Sequence, residues 1–158
     1  MIALGSNRRH GRYGPPERVL AAAARRLEAL GKVEAVAPVL RSAPVGPSLR
    51  RYANGAAVLA TPLGPPALLA ALKALERAFG RRRGGQRWSA RVLDCDIVLW
   101  SGGRWRGKAL TIPHPAFRRR PFVLAPAAAI AADWRDPATS LTVRHLLARL
   151  TRPRPAIR

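Results

Sequence analysis

Two helix signals, each opened by proline and followed by glycine, constrain the fold of this chain more than any other feature. They cover residues 15–30 and 67–79, and two prolines directly precede the second. Proline is favoured in the first turn of a helix and glycine directly after the last. Apolar, strand-like segments lie around them, at residues 2–5, 33–40, 52–61 and 92–100. The order strand, helix, strand, strand, helix, strand predicts an α+β fold with a ferredoxin-like βαββαβ core, in which helices pack on a mainly antiparallel sheet.

The length of the chain indicates a single domain. Its 158 residues, 48% of them hydrophobic, are enough to bury a substantial core. We place this domain at residues 1–150 and expect the Arg/Pro-rich tail at residues 151–158 to be disordered. Residues 141–150 have the pattern of a short amphipathic helix, with Thr139 or Ser140 available as its cap.

The formal net charge of +21 has two interpretations. It is either a nucleic-acid-binding surface or a consequence of composition, since Arg, Ala, Gly and Pro all have GC-rich codons. We favour composition, and expect nucleic acid to bind only nonspecifically. No apolar stretch approaches the length of a membrane span, and the N-terminus lacks the basic start of a signal peptide. One cysteine, Cys95, cannot form an internal disulfide, so we expect a cytoplasmic protein with no membrane partner.

The segment at residues 92–100 contains two of the eight acidic residues of the chain, Asp94 and Asp96. In a strand, residues i and i+2 point to the same face, roughly 7 Å apart along the backbone. Two carboxylates placed in this way repel each other and lose hydration, so a cation is expected between them. Oxygen ligands on a rigid element suit Mg²⁺. The alternative is a salt-bridge network with arginines, and the pair alone does not separate the two interpretations.

A basic loop precedes this strand. Its cationic and aromatic residues are Arg81, Arg82, Arg83, Arg87, Trp88 and Arg91. Guanidinium groups bind phosphate through paired hydrogen bonds, and tryptophan stacks on bases. Such a charge run is ordinarily a solvated surface, but its position directly before the Asp strand favours a polyphosphate site. The chain has no Gly-x-x-x-x-Gly-Lys-Ser/Thr segment, so a P-loop is excluded.

Two further segments contain candidate ligand contacts. Flanking prolines fix the backbone direction of His114, which suits a positioned contact. Tyr52 and Asn54 lie in the third strand-like segment. Taken alone, these residues are ordinarily a structural histidine, a buried tyrosine and a turn asparagine.

Short motifs spread over residues 2–131 occur in an order and spacing that resemble one family. They are Leu4-Gly5-Ser6-Asn7, Ser42-Ala43-Pro44-Val45-Gly46, Tyr52-Ala53-Asn54, Glu76, Gly80-Arg81, Arg87-Trp88, Arg91-Val92-Leu93-Asp94-Cys95-Asp96, Ile112-Pro113-His114-Pro115 and Arg120-Pro121-Phe122-Val123-Leu124. The family that they resemble is 6-hydroxymethyl-7,8-dihydropterin pyrophosphokinase, of folate biosynthesis.

The resemblance implies transfer of a pyrophosphoryl group from ATP, the co-substrate, to the hydroxymethyl oxygen of the pterin, leaving AMP. It implies that Asp94 and Asp96 hold two Mg²⁺ ions that bridge the triphosphate, one of which also contacts the attacking hydroxyl. Arg81 and Arg91 are then expected to bind the phosphates. The other expected nucleotide contacts are Arg83, Arg87, Trp88, Thr111, His114 and Arg120.

The resemblance also implies an aromatic clamp for the pterin. Tyr52 and Phe122 match the stacking pair of the family. Asn54 matches the side chain that reads the polar rim of the ring, because an amide offers both a donor and an acceptor. The remaining expected contacts are the hydroxyl of Ser42 and the backbone around Pro44 and Val45.

The chain departs from the family at a few positions. Ser42 stands where the family usually has threonine and keeps the hydroxyl. Ala43 and Ala90 replace prolines, which loosens two loops by about 1 kcal/mol or less each. Arg119 replaces an acidic residue. Glu76 is expected to play a supporting role, such as pairing an arginine of the site. The compact family fold needs no partner, so we expect a monomer.

Two other functions are open to this chain. A nucleic-acid-binding protein would explain the charge but leaves the Asp pair and the ordered motifs unexplained. A non-catalytic relative would keep the fold and bind a ligand, and the intact pair Asp94 and Asp96 argues against it.

Overall fold

The computed structural model describes residues 1–43, 51–80 and 91–152. The strands are β1 (Ile2–Ser6), β2 (Lys32–Val36), β3 (Leu40–Ser42), β4 (Tyr52–Ala60), β5 (Asp94–Ile97), β6 (Trp105–Arg106) and β7 (Thr111–Ile112). The helices are α1 (Pro16–Leu27), α2 (Pro65–Ala78), α3 (Pro121–Ala131) and α4 (Val143–Thr151), with short 3₁₀ turns at Glu28–Leu30 and Phe117–Arg119. The order β1–α1–β2–β4–α2–β5 confirms the predicted α+β fold.

One antiparallel sheet forms the centre of the molecule. Its strands lie in the order β2-β4-β1-β5, and β3 pairs with β4. This is the arrangement of a ferredoxin-like sheet, in which the first strand of the chain lies inside and the last lies at an edge. A small separate hairpin pairs β6 with β7.

The register of the sheet brings two candidate regions together across Gly5. Gly5 in β1 pairs with Asn54 in β4 on one side and with Asp94 in β5 on the other. Residues paired across antiparallel strands point to the same face. The side chains of Asn54 and Asp94 therefore stand on either side of a residue that has none. A side chain larger than a methyl group at Gly5 would extend between them.

The sheet separates two hydrophobic cores. On one face, Leu4 and Cys95 pack with residues of α1 and α2 such as Val19 and Leu72. On the other face, the buried residues belong to the end of the sheet, the 3₁₀ turn, α3 and α4. They include Val98, Phe117, Leu124 and Val143.

An ion pair joins the C-terminal elements to the 3₁₀ turn at Phe117–Arg119. Arg118 donates to both oxygens of the buried Asp136, at 2.7 and 2.6 Å. Thr139 also donates its hydroxyl to Asp136, at 2.6 Å. The predicted cap of the last helix is wrong, because the side chain of Thr142 accepts from His145 N–H at the start of α4. Thr139 is used by Asp136 instead.

Other boundaries also differ from those predicted, among them the end of the first helix at Leu27 and the limits of β5 at Asp94–Ile97. The segment at residues 33–40 divides into β2 and the start of β3, since Pro38 interrupts it and supplies no N–H to a ladder. Helix α4 continues to Thr151, so the first residue of the predicted tail is helical, and residues 153–158 lie outside the described residues. Among the described residues, no helix has the length and apolar character needed to cross a membrane.

Candidate active site

A cavity of about 340 Å³ opens where Gly5 separates Asn54 from Asp94. This volume falls in the range of small-molecule sites. Its lining comes from the four strands β1, β3, β4 and β5, from α2, from the residue Arg91 before β5 and from the segment that leads into α3. The lining residues are Ala3, Leu4, Gly5, Ser6, Ser42, Tyr52, Asn54, Gly55, Lys73, Arg91, Asp94, Asp96, His114, Arg120, Phe122 and Val123.

Both carboxylates of β5 face this cavity. The side chains of Asp94 and Asp96 are 27% and 34% exposed, whereas Cys95 between them is buried. A single guanidinium nitrogen of Arg91 donates to both oxygens of Asp94, at 3.0 and 2.9 Å. The ring nitrogen Nε2 of His114 lies 3.9 Å from an oxygen of Asp96. The two carboxylates therefore lie on one face of the strand, as the sequence predicts. The guanidinium group of Arg91 lies beside Asp94, and the imidazole of His114 lies beside Asp96.

The two carboxylates fit a hard divalent cation. Mg²⁺ typically takes one or two protein carboxylates and completes its octahedron with water and substrate phosphates. Within residues 1–43, 51–80 and 91–152, no group of three or more acidic, histidine or cysteine side chains could hold a metal by itself. A metal at Asp94 and Asp96 would therefore need ligands from a bound substrate or from water.

The backbone of Arg91 is held by a buried asparagine. Arg91 N–H donates to Asn7 Oδ1 at 2.6 Å, and Asn7 N–H donates to the carbonyl of Arg91 at 3.1 Å. This exchange resembles one rung of an antiparallel ladder made with a side chain on one side. Asn7, from the motif that ends β1, thereby fixes the point from which Arg91 reaches Asp94. The sequence placed Arg91 at the site but gave no role to Asn7.

His114 has a defined orientation. Its backbone N–H donates to the carbonyl of Val98 at 3.1 Å, and its Nδ1 accepts from Ala116 N–H at 3.2 Å. Burial lowers the pKa of His114, with Asp96 opposing the shift and Arg120 adding to it. A neutral ring that accepts at Nδ1 carries its proton on Nε2, the atom that faces Asp96.

The opposite wall of the cavity combines polar and aromatic groups. Asn54 Nδ2 donates to Ser42 Oγ at 2.9 Å, across the pairing of β3 with β4. Tyr52 begins β4 on the same wall, and Phe122 lies in the first turn of α3. The guanidinium carbon of Arg120 is 5.9 Å from the centre of the Phe122 ring. This wall offers an apolar slot beside a fixed amide, which suits a flat heteroaromatic ring.

One charged lining residue had no role in the sequence interpretation. Lys73 of α2 reaches the cavity and forms an ion pair with the fully buried Glu76, with 2.7 Å between Nζ and Oε1. Glu76 also accepts from Cys95 N–H at 2.8 Å. The spacing i, i+3 was visible in the sequence, but such pairs usually lie on a solvated helix surface.

One candidate among the described residues does not line the cavity. Thr111 is exposed on β7 and does not line it. Six further candidates lie outside the described residues. They are Pro44, Val45, Arg81, Arg83, Arg87 and Trp88.

Residues 1–132 match the family model described as 7,8-dihydro-6-hydroxymethylpterin-pyrophosphokinase. The chain belongs to this family. The resemblance inferred from the motifs is thereby confirmed. The family match includes every residue that lines the cavity and ends before α4, so the ion pair of Arg118 with Asp136 joins the matched region to the elements beyond it.

Curated relatives of this chain are 2-amino-4-hydroxy-6-hydroxymethyldihydropteridine pyrophosphokinases. One from Synechocystis sp. is 41% identical over 73% of this chain and 59% of its own length. One from Pseudomonas aeruginosa is 40% identical over 86% of this chain and 82% of its own length. The chain therefore spans less than two thirds of the Synechocystis relative it matches.

Solved structures support the fold. A Plasmodium falciparum HPPK-DHPS crystallised with pteroate superposes with a TM-score of 0.70 at 13% sequence identity, covering 94% of this chain and 42% of that one. At this identity the similarity concerns the fold alone.

Proposed function

We propose that this chain transfers a pyrophosphoryl group from ATP to the hydroxymethyl group of 6-hydroxymethyl-7,8-dihydropterin, a step of folate biosynthesis. The hydroxyl oxygen forms a bond to the β-phosphorus of ATP, and the bond from that phosphorus to the oxygen bridging to the α-phosphorus breaks. The products are AMP and the pterin diphosphate, and the hydroxyl proton is released. The observation that carries this proposal is the pairing of Gly5 with Asn54 on one side and with Asp94 on the other. This register directs the polar and aromatic wall and the two carboxylates of β5 toward the same cavity.

The polar and aromatic wall of the cavity is suited to the pterin. Tyr52 and Phe122 would stack on the ring faces, and Asn54, held by Ser42, would bond to the polar rim. The fixed amide lowers the entropy lost when the ring binds. Backbone contacts at Pro44 and Val45 complete this part of the proposal.

The nucleotide would bind on the side of β5. Arg91 and Arg120 line the cavity and would contact the phosphates together with His114. The remaining proposed contacts are Arg81, Arg83, Arg87, Trp88 and Thr111.

Asp94 and Asp96 would hold Mg²⁺, with two ions proposed. The chemistry that the metal supplies when bound is neutralisation of the triphosphate charge and a lower cost of deprotonating the attacking hydroxyl. No described residue of the cavity has to act as a strong base, because transfer of this type depends mainly on alignment and charge neutralisation. We propose that the chain acts as a cytoplasmic monomer.

An AMP-release assay tests the proposal. Purified protein is incubated with ATP, Mg²⁺ and the reduced hydroxymethylpterin, and AMP and pterin diphosphate are separated by chromatography. We expect equal amounts of the two products and no AMP without the pterin. Asp133→Asn is the matched control for variants of Asp94. Asp133 is an exposed aspartate that pairs with Arg144 and does not line the cavity.

AMP formation at the same rate with and without the pterin would contradict the proposal. A complete lack of AMP formation would contradict it as well. In that case a gel shift with nucleic acid that weakens steeply with salt would favour a nucleic-acid-binding protein, which the charge of +21 permits.

A further inference from the structure

Strand β5 has one open edge among the described strands. In the order β2-β4-β1-β5 it pairs with β1 alone. The N–H and C=O groups of successive residues in a strand point alternately to its two sides. Cys95 N–H points away from β1, because it donates to a side chain of α2. An edge of this kind ordinarily leaves peptide groups to solvent and lets the strand move.

A pair of side chains from α2 occupies this edge at one peptide position. Glu76 Oε1 accepts from Cys95 N–H at 2.8 Å, and Lys73 Nζ lies 3.4 Å from the carbonyl of Cys95. The two side chains also bond to each other at 2.7 Å. They therefore present an acceptor and a donor to the two polar groups of one residue, as the next strand of a sheet would.

The position of this residue gives the contact its meaning. Cys95 lies between Asp94 and Asp96, so a rotation or shift of its peptide moves both carboxylates. The two carboxylates face the same cavity and repel each other, which favours distortion of the strand in the absence of a cation. Glu76 has 0% exposure, and a buried carboxylate is retained only where its bonds are satisfied.

We propose that Lys73 and Glu76 are positioning residues for the reaction, which take the place of a neighbouring strand at Cys95 and hold Asp94 and Asp96 toward the cavity. This inference rests on the proposed role of the two aspartates in binding Mg²⁺. Groups that orient metal ligands without touching the metal typically change metal affinity or activity by about 10- to 100-fold when removed.

The strand contains its own reporter. Cys95 is the only cysteine of the chain, and its side chain is buried against the α1 and α2 core. A thiol reagent therefore reaches it only when β5 separates from that core. The rate of Cys95 modification in metal-free protein measures this opening without any contribution from catalysis.

The decisive variant replaces both side chains, as Lys73→Met with Glu76→Met. Removing both partners leaves no unpaired charge behind, and both contacts to the Cys95 peptide are lost. We expect a folded protein whose urea midpoint falls, because Cys95 N–H loses its acceptor, together with at least about tenfold faster Cys95 modification and about tenfold weaker binding of Mn²⁺. AMP formation should fall by a similar factor.

Two single variants serve as controls. Glu76→Gln keeps an oxygen for Cys95 N–H and should stay within about threefold of the wild type in thiol modification and Mn²⁺ affinity. Arg77→Gln changes an exposed residue of the same helix and should alter neither.

Wild-type rates of modification and wild-type Mn²⁺ affinity in the double variant would overturn the inference. If the double variant does not fold, Lys73→Met decides, because it removes the donor to the Cys95 carbonyl. Wild-type values in both measurements would then overturn the inference. Failure of the proposed function gives a different result, namely a wild-type protein that forms no AMP while the thiol and Mn²⁺ measurements still report on the edge of β5.

Discussion

At the scale of single residues, the site depends on two carboxylates that share one face of a short strand. Asp94 is already paired with Arg91, and Asp96 lies near His114. A cation that joined the pair would therefore compete with Arg91 for Asp94, or would share it. A metal site and a salt-bridge network therefore differ in what removal of one carboxylate does to activity.

Replacing Asp94 or Asp96 by asparagine should abolish turnover. Each change removes a negative ligand and leaves the size of the side chain unchanged, so we expect AMP formation to fall by at least about 100-fold with little effect on the urea midpoint. Steady-state assays with the Asp133→Asn control measure this. Activity within about tenfold of the wild type in either variant would contradict the assignment of metal ligands.

Truncation of the aromatic clamp should affect one substrate. Tyr52→Ala or Phe122→Ala removes an aromatic ring from the proposed pterin slot, so we expect the Kd of the pterin to rise roughly tenfold, equivalent to about 1–1.5 kcal/mol. The Kd of a nonhydrolysable ATP analogue should change much less. Isothermal titration calorimetry measures both, and equal losses for the two ligands would show that the rings support the site in some other way.

At the scale of elements, the sequence indicates most of the architecture because its helix ends carry strong local signals. Prolines at the start of α1 and α2 and glycines after them bracket these helices closely. Alternation in the β5 segment also places Asp94 and Asp96 on one face. These features depend on neighbours in the chain, which a single sequence contains.

Features that depend on distant neighbours were not available from the sequence. The register that places Gly5 between Asn54 and Asp94 requires the pairing of three strands. The role of Lys73 and Glu76 requires β5 to lie at an edge of the sheet. The cap at Thr142, by contrast, is a contact with His145 three residues further along, so the sequence did contain it.

The hydrogen bond between Asn7, directly after β1, and Arg91, shortly before β5, should control the position of the Arg91 side chain. Asn7→Ala removes the acceptor for Arg91 N–H, which costs about 1–2 kcal/mol for a buried hydrogen bond. We expect kcat/KM for AMP formation to fall by about tenfold, while the Kd of the pterin is preserved. Asn7→Asp keeps an acceptor oxygen and should recover most of the loss. A pterin Kd that weakens as much as kcat/KM would instead indicate a general disturbance of the cavity.

At the scale of the whole molecule, the C-terminal elements stabilise the segment that carries His114 and Arg120, two of the proposed nucleotide contacts. The family match ends at residue 132, whereas Asp136 lies beyond it and binds Arg118, between His114 and Arg120. Residues outside the matched region thus fix the backbone of residues inside it.

The ion pair of Arg118 with Asp136 should make stability depend on acid pH. Burial alone would raise the pKa of Asp136, but hydrogen bonds from Arg118, Thr139 and Ala138 N–H outweigh it and lower the pKa to about 2. Because the pKa is depressed in the folded state, the contribution is complete above the unfolded value near 4 and is lost as the pH falls toward 2. The shift corresponds to about 2 kcal/mol of unfolding free energy at neutral pH.

Urea unfolding of the wild type and Asp136→Asn between pH 7 and pH 2 tests this dependence. The difference in unfolding free energy between the two proteins should be largest at pH 7 and should shrink by about 2 kcal/mol at the lowest pH. Asp133→Asn, a change at a 76% exposed aspartate of the same segment, should run parallel to the wild type. A constant difference between Asp136→Asn and the wild type across this range would mean that the carboxylate does not titrate with folding. The pair would then act through packing alone.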